Sequence, residues 1–139
     1  MDLRIELITS KEHIAVEEVL SIFMHGGWTK NRTYHQVKKM LDHTDFLVMT
    51  KVDGRSAGFA RIITDRTFRA FVEDVIVLPE FRRRGIGRRI MLKVEELVRA
   101  LEVPRIELIT TETEFWKKLG YAQKPGSTYM TKNLTKGHL

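Results

Sequence analysis

The sequence predicts an α/β (α+β) domain: a mixed, mainly antiparallel central sheet flanked by helices. Three observations carry that expectation. Two strand-like runs, Phe46 to Val52 and Ser56 to Thr64, flank an Asp53-Gly54 pair, which is the turn chemistry of an antiparallel hairpin. A third run, Phe68 to Leu78, follows directly after Asp65-Arg66. The apolar period then changes from two to 3.6. Ile90, Met91, Val94, Leu97, Val98 and Leu101 lie on one side of a helix from Gly85 to Leu101, and strand alternation resumes from Arg105 to Thr110. A meander of strands followed by a strand, helix, strand unit gives a mixed sheet with helices packed on it.

The other elements follow in order. Leu3 to Ile8 reads as a short opening strand. Thr9 or Ser10 is placed to cap a helix with Glu12 in its first turn, and Ile14, Val19, Ile22 and Phe23 keep helical spacing as far as Met24. His25-Gly26-Gly27-Trp28 breaks that period, and a second short helix is expected over Thr33 to Leu41. Pro104 ends the long helix, and Tyr129 to Leu134 is the candidate for a last strand before a polar tail. No repeat, linker or low-complexity segment interrupts the 139 residues, so one domain over 1–139 is expected.

Composition narrows the class. The chain is 42% hydrophobic, enough for one core, and holds no run of 18 apolar residues to span a membrane. Asp2, Arg4 and Glu6 interrupt the first apolar residues, so no secretory signal is read, and without cysteine there are no disulfides. A soluble, cytoplasmic protein with no membrane partner is the expectation. The lack of cysteine also removes a thiolate acyl-enzyme, which leaves direct transfer as the expected route for any thioester chemistry. The net charge of +6 fits either a ligand carrying several phosphates or a nucleic acid backbone, and does not choose between them.

The most informative stretch is residues 73–91, E-D-V-I-V-L-P-E-F-R-R-R-G-I-G-R-R-I-M. A β-branched run, Val75-Ile76-Val77, stops at Pro79. An arginine-rich turn follows, then Gly85 and Gly87, and then an amphipathic helix begins. Glycines let a backbone approach a ligand closely, and the free N–H groups of a helix start carry partial positive charge. Arg82, Arg83, Arg84, Arg88 and Arg89 add forked, permanently charged donors. Cations at the positive end of a helix dipole are unfavourable, which argues for a bound anion there. Neither a Walker loop nor a G-x-G-x-x-G dinucleotide fingerprint is present.

What the stretch does match is R/Q-x-x-G-x-G/A, as Arg82-Arg83-Arg84-Gly85-Ile86-Gly87. With its preceding strand and proline, this resembles the GNAT superfamily of acetyl-CoA-dependent N-acetyltransferases. A second motif, Phe115-Trp116-Lys117-Lys118-Leu119-Gly120-Tyr121, resembles the family's late F-Y-x-x-x-G-F/Y element, and the resemblance covers roughly residues 45 to 121. It implies the GNAT-like acyl-CoA N-acyltransferase fold, with acetyl-CoA as acyl donor and no metal. The backbone amides from Arg82 through Arg88 would surround the pyrophosphate. Val75, Ile76 and Val77 would pair through their main chain with the pantetheine arm, and the N–H of Val75 or Ile76 would polarise the thioester carbonyl from a locally bulged strand.

The string Val72-Glu73-Asp74-Val75-Ile76-Val77 is similar to the core strand of glucosamine-6-phosphate N-acetyltransferases. That similarity implies Glu73 as the base that takes the proton of the acceptor ammonium, directly or through water. Strand alternation sends Glu73 and Asp74 to opposite faces, and both acids have Arg61, Arg66 and Arg69 nearby as alternative ion-pair partners. In the late motif the family's tyrosine acid is replaced by Trp116, whose indole is a donor but no useful acid. Tyr121 and Tyr129 remain as candidate acids, although Tyr121 fills the motif's closing aromatic place and is expected to pack against the core. Alternatively the CoA thiolate, with a cysteine-like pKa of about 8.5, leaves unaided.

The segment Met24 to Tyr34 is the candidate acceptor side, with Trp28 and Arg32 as substrate-binding residues beside Glu73. His25 and His35 form no ligand pattern, so no metal is expected. The favoured reading is transfer of acetyl to a primary amine of a small molecule by direct attack in a ternary complex, in a protein that is a candidate homodimer. A basic nucleic-acid-binding module is the disfavoured alternative, since no recognition helix or interleaved aromatic and basic pattern is present. Trp116 keeps open a CoA-binding sensor without turnover.

Overall fold

Five strands are laid down in chain order, β1-β2-β3-β4-β5. In the computed structural model, which describes residues 3–135, β1 (Ile5–Ile8), β2 (Phe46–Val52), β3 (Arg55–Thr64) and β4 (Ala70–Val77) pair antiparallel, and β5 (Ile106–Glu107) lies parallel to β4. The β2–β3 hairpin turns on Asp53 and Gly54, at φ 49° and 81°. A two-residue turn that matches the twist of its strands needs positive φ at both positions, and Asp-Gly supplies it. Asp53 also fastens β1: its N–H donates to the Arg4 carbonyl (2.8 Å) and its Oδ1 accepts the Arg4 N–H (3.0 Å). The β3–β4 connection is held by the Asp65 carboxylate, which accepts from the N–H groups of Thr67, Phe68 and Arg69. β4 therefore begins at Ala70, two residues later than the run from Phe68 predicts.

Two faces of this sheet are covered by different helices. On β3, Phe59 meets Phe23 edge to face at 5.6 Å between ring centres, which places α1 (Val16–Phe23) on one side. Its neighbour Gly58 faces the other way. A Cβ on Gly58 would come within 2.8 Å of Ile90 Cδ1 in α3 (Ile86–Ala100) and within 3.1 Å of the Ile76 carbonyl, so α3 packs on the opposite face at a separation only glycine allows. The amphipathic spacing of α3 buries Ile86, Ile90, Met91, Val94 and Val98 there. The crossover from β4 through α3 to β5 makes the one parallel pairing among the described residues.

The first predicted helix is split. Lys11–His13 forms a single 3₁₀ turn after Ser10, which makes no side-chain cap, and α1 starts only at Val16. Its start is fixed from within: Glu18 Oε1 accepts the Ala15 N–H at 2.9 Å, and Glu17 and Glu18 place carboxylates in the first turn. The second helix, α2 (Tyr34–Asp42), lies where the sequence predicts and is capped by Thr33 and Gln36, which exchange reciprocal side-chain-to-backbone bonds.

The chain divides into two compact units, the first running to Ile109 and the second beginning at Thr110. In the second, α4 (Thr113–Lys118) is followed by Gly120 at φ 93°. Trp116 packs edge to face on Phe115 (5.0 Å) and Tyr121 (5.3 Å). The strands expected over Arg105 to Thr110 and Tyr129 to Leu134 are corrected: the former is ordered as a strand only at Ile106–Glu107, and the latter is not a strand. Among the described residues no ladder partner lies along Tyr129–Leu134, and Tyr129, Met130 and Leu134 are exposed. Without a partner a strand sequence gains neither hydrogen bonds nor burial. No helix of the described residues is long and apolar enough to cross a membrane.

Candidate active site

The site begins with a break in strand register. Ile76 pairs with Phe59 and Glu73 with Arg61, so Asp74 and Val75 of β4 stand opposite Ala60 alone. Two residues against one is a β-bulge, which bends the strand and takes its N–H groups out of the ladder. Asp74 holds the left-handed conformation that makes it, φ 56°, which Asp tolerates better than most residues. The bulge also overturns the expectation that Glu73 and Asp74 face opposite ways. Paired residues of antiparallel strands share a face, so Glu73 lies on the face of Arg61, and the Asp74 carboxylate reaches that same Arg61. Both acids look toward the α1 side.

Their surroundings differ sharply. The Asp74 side chain is fully buried and receives three donors: Trp28 Nε1 (2.8 Å), Arg32 Nη1 (2.7 Å) and Arg61 Nε (2.7 Å). Burial pushes its carboxyl up, but the hydrogen bonds from Arg32, Arg61 and Trp28 prevail and hold it below the usual aspartate range. Glu73 takes no hydrogen bond or ion pair among the described residues. Burial raises its pKa, the charge of Asp74 adds to the rise, and the charges of Arg61 and Arg32 oppose it. Of the two acids with arginines at hand, one is consumed by them and the other is left free. A half-buried, unpaired carboxylate shifted toward neutrality is suited to accept a proton.

Loop residues 24–33 reach the site by tight packing. Thr29 is buried, its hydroxyl donating to the Phe23 carbonyl (2.7 Å), and a Cβ on Gly26 would collide with Thr29 and with Ile76 of β4. Trp28 is 59% exposed although its indole N–H is held, so the ring is fixed and open to solvent. Arg32 lies over the Phe23 ring at 5.0 Å. A cavity of about 310 Å³ bounded by Met40, His43, Asp45 and Ile63 touches this cluster only through Arg61.

The anion cradle lies at the other end of β4. β4 pairs with β5 only at Ala70 and Phe71, so among the described residues its edge from Val72 to Val77, including Val75, Ile76 and Val77, runs on without a partner strand. Past Pro79, Arg83 (φ 64°) and Gly85 (φ 75°) are left-handed, the backbone type that turns successive N–H groups to one side. The first ladder bond of α3 is Arg89 N–H to Gly85 carbonyl (3.1 Å), so the N–H groups of Ile86, Gly87 and Arg88 precede the helix ladder. A Cβ on Gly85 would meet nothing within 4 Å, which leaves the concavity open. Arg82 differs from its neighbours: its Nε donates to the Val77 carbonyl (2.9 Å) and closes the turn. Arg83, Arg84, Arg88 and Arg89 are exposed and have no protein partner among the described residues. Free amides, an open concavity and four uncompensated guanidinium groups fit a pyrophosphate.

Sequence reasoning named Arg61 among the ion-pair partners of both acids, and the resemblance implied a local bulge, but the role of Asp74 as the one acid that takes both Arg61 and Arg32 was missed. The partition between the two acids left no signal in the sequence. Tyr121 and Tyr129 belong to the second unit. The Tyr121 N–H donates to the Trp116 carbonyl (3.0 Å), and Tyr129 is exposed. No cluster of three metal-ligating side chains occurs among the described residues.

Comparison with known proteins agrees with this geometry. A sequence model of the Acetyltransferase (GNAT) family matches residues 13–121. The uncharacterized N-acetyltransferase ycf52 of Porphyra purpurea is 28% identical over 131 residues, spanning 90% of this chain and 75% of that protein. Among solved structures, a protein from Xanthomonas campestris described as belonging to the GNAT family superposes with a TM-score of 0.76 at 25% identity, over 88% of this chain and 87% of that one. An aminoglycoside N-acetyltransferase in complex with CoA shares the fold at a TM-score of 0.74 and 15% identity, over 94% and 95% of the two chains.

Proposed function

The chain belongs to the GNAT family of acetyltransferases, and from that premise we propose that it moves an acetyl group onto a primary amine of a small molecule by direct attack within a ternary complex. The observation that carries this reading is the pairing of an unpartnered Glu73 with a bulge at the next residue, on a strand whose open edge leads to the anion cradle. Acetyl-CoA, the family's acyl donor, supplies the activated acetyl group when bound. The amides of Gly85, Ile86, Gly87 and Arg88, with Arg83 and Arg84, would hold its pyrophosphate. The edge of Val75, Ile76 and Val77 would take its extended arm as an added strand.

Glu73 then accepts a proton from the acceptor ammonium, so that a neutral amine attacks the acetyl carbonyl carbon. A main-chain N–H released by the bulge, from Val75 or Ile76, donates to the carbonyl oxygen as negative charge grows there. The C–N bond would form as the C–S bond breaks, the sulfur taking the electron pair and then, through water, the second proton that the amine nitrogen loses. Trp28 and Arg32, fixed through Asp74, border the acceptor. A panel of primary amines with free thiol as readout tests the reading. Acetyl-CoA-dependent thiol release with one amine class supports it, whereas acetyl-CoA binding without release from any amine favours the sensor.

The thiolate needs no protein acid on this account. Tyr121→Phe and Tyr129→Phe are expected to keep most of the wild-type kcat, within about threefold. A general acid typically contributes about 10² to 10⁴, so a loss of that size in either variant assigns the proton to that tyrosine.

A further inference from the structure

We propose that Asp74 is a positioning residue of this site: its single carboxylate holds the acceptor-side loop against the bulge of β4 and occupies Arg32 and Arg61, so that Glu73 stays unpaired in front of the acceptor amine. The inference rests on the proposed role of Glu73 as base. Three separate pieces of chain converge on Asp74: Trp28 and Arg32 from the loop after α1, and Arg61 from β3. Asp74 is itself the left-handed residue of the bulge. One residue therefore joins the backbone feature that would polarise the acetyl carbonyl to the loop that would border the acceptor.

Charge makes the second half of the argument. The charged groups facing Glu73 are Arg61 from β3, Arg32 from the loop and Asp74 from its own strand. Arg61 is the register partner of Glu73, so an ion pair between them is the arrangement cross-strand geometry favours. Both arginines bond Asp74 instead. Without its carboxylate both are left with the charge of Glu73, on which they already act, and a base locked in two ion pairs is a poor proton acceptor.

The test uses Asp74→Asn, because Asn tolerates the left-handed backbone as well as Asp and so removes the charge while keeping the bulge. In the pH profile of kcat/KM with acetyl-CoA and the amine found by thiol release, the acid-side limb is expected to move down by about one unit, the usual effect of a charged neighbour. Arg32→Met is expected to move the same limb upward, since Glu73 then loses a cation. Opposite displacements support the proposal. An unmoved limb in either folded variant overturns it, and if Asp74→Asn does not fold, Arg32→Met decides alone.

Glu73→Gln separates this from failure of the base assignment. If the limb survives that change, Glu73 is not the base, and the clamp is then judged by amide hydrogen exchange over residues 26–32. Faster exchange there in Asp74→Asn, with β2 and β3 unchanged, supports the clamp. Unchanged exchange overturns it.

Discussion

Replacing Glu73 by Gln is expected to lower kcat by about 10² to 10³, the range a positioned general base contributes, and to erase the acid-side limb of the pH profile. The sign follows from the surroundings of the residue. Only the carboxylate can take a proton, so activity falls as pH drops through its pKa. Burial, reinforced by the charge of Asp74, raises that pKa, so the limb lies above the value of about 4.3 for an ordinary glutamate. Stability is expected to move the other way. A raised carboxyl pKa in the folded state costs stability above that pKa and nothing below the unfolded value. Glu73→Gln should therefore unfold at a higher Tm than wild type at pH 7, with the difference closing in acid. Lost turnover in a more stable protein separates chemistry from misfolding; full turnover with the limb intact removes Glu73 from the mechanism.

Charge reversal in the cradle is expected to be as damaging to binding. Arg84→Glu combined with Arg88→Glu removes two of the four guanidinium groups without protein partners and places carboxylates beside the free amides of α3. Each charge-assisted contact is worth about 1.5 to 3 kcal/mol, so acetyl-CoA affinity should fall at least about a hundredfold by titration calorimetry. The unliganded protein should not be less stable, because both side chains are exposed and acids suit a helix N-terminus. Wild-type KM for acetyl-CoA should also rise with ionic strength. If the double variant kept its acetyl-CoA affinity and instead lost salt-sensitive retention on a DNA duplex, the arginines would belong to a nucleic-acid contact.

Both predictions depend on features of different legibility. The cradle was readable because its parts are adjacent in the chain: proline, arginines, two glycines and an amphipathic period specify a turn and a helix start without outside help. Arg82 was the exception, since only the folded turn shows its Nε spent on Val77. The β2–β3 hairpin and the position of α2 were legible for the same local reason. The first helix was mistaken because Ser10 and Thr9 are acceptable caps, while the cap that forms depends on Glu18 reaching back to Ala15. The strand expected at Tyr129 to Leu134 failed because strand propensity has no effect without a neighbouring ladder.

Glu73 and Asp74 mark the boundary most clearly. By itself the sequence determined the order of the main elements as far as β5, the hairpin, the glycine-arginine cradle, and the presence of two adjacent acids in the strand before it, because each is set by propensity and spacing within a few residues. Only the tertiary structure decided which acid is free. A bulge is a mismatch between two strands, 59–61 on one and 73–76 on the other, and no residue encodes it alone. That mismatch turns both carboxylates to one face, where Arg32 and Arg61, 42 and 13 residues away in sequence, settle on Asp74 and leave Glu73 unpaired.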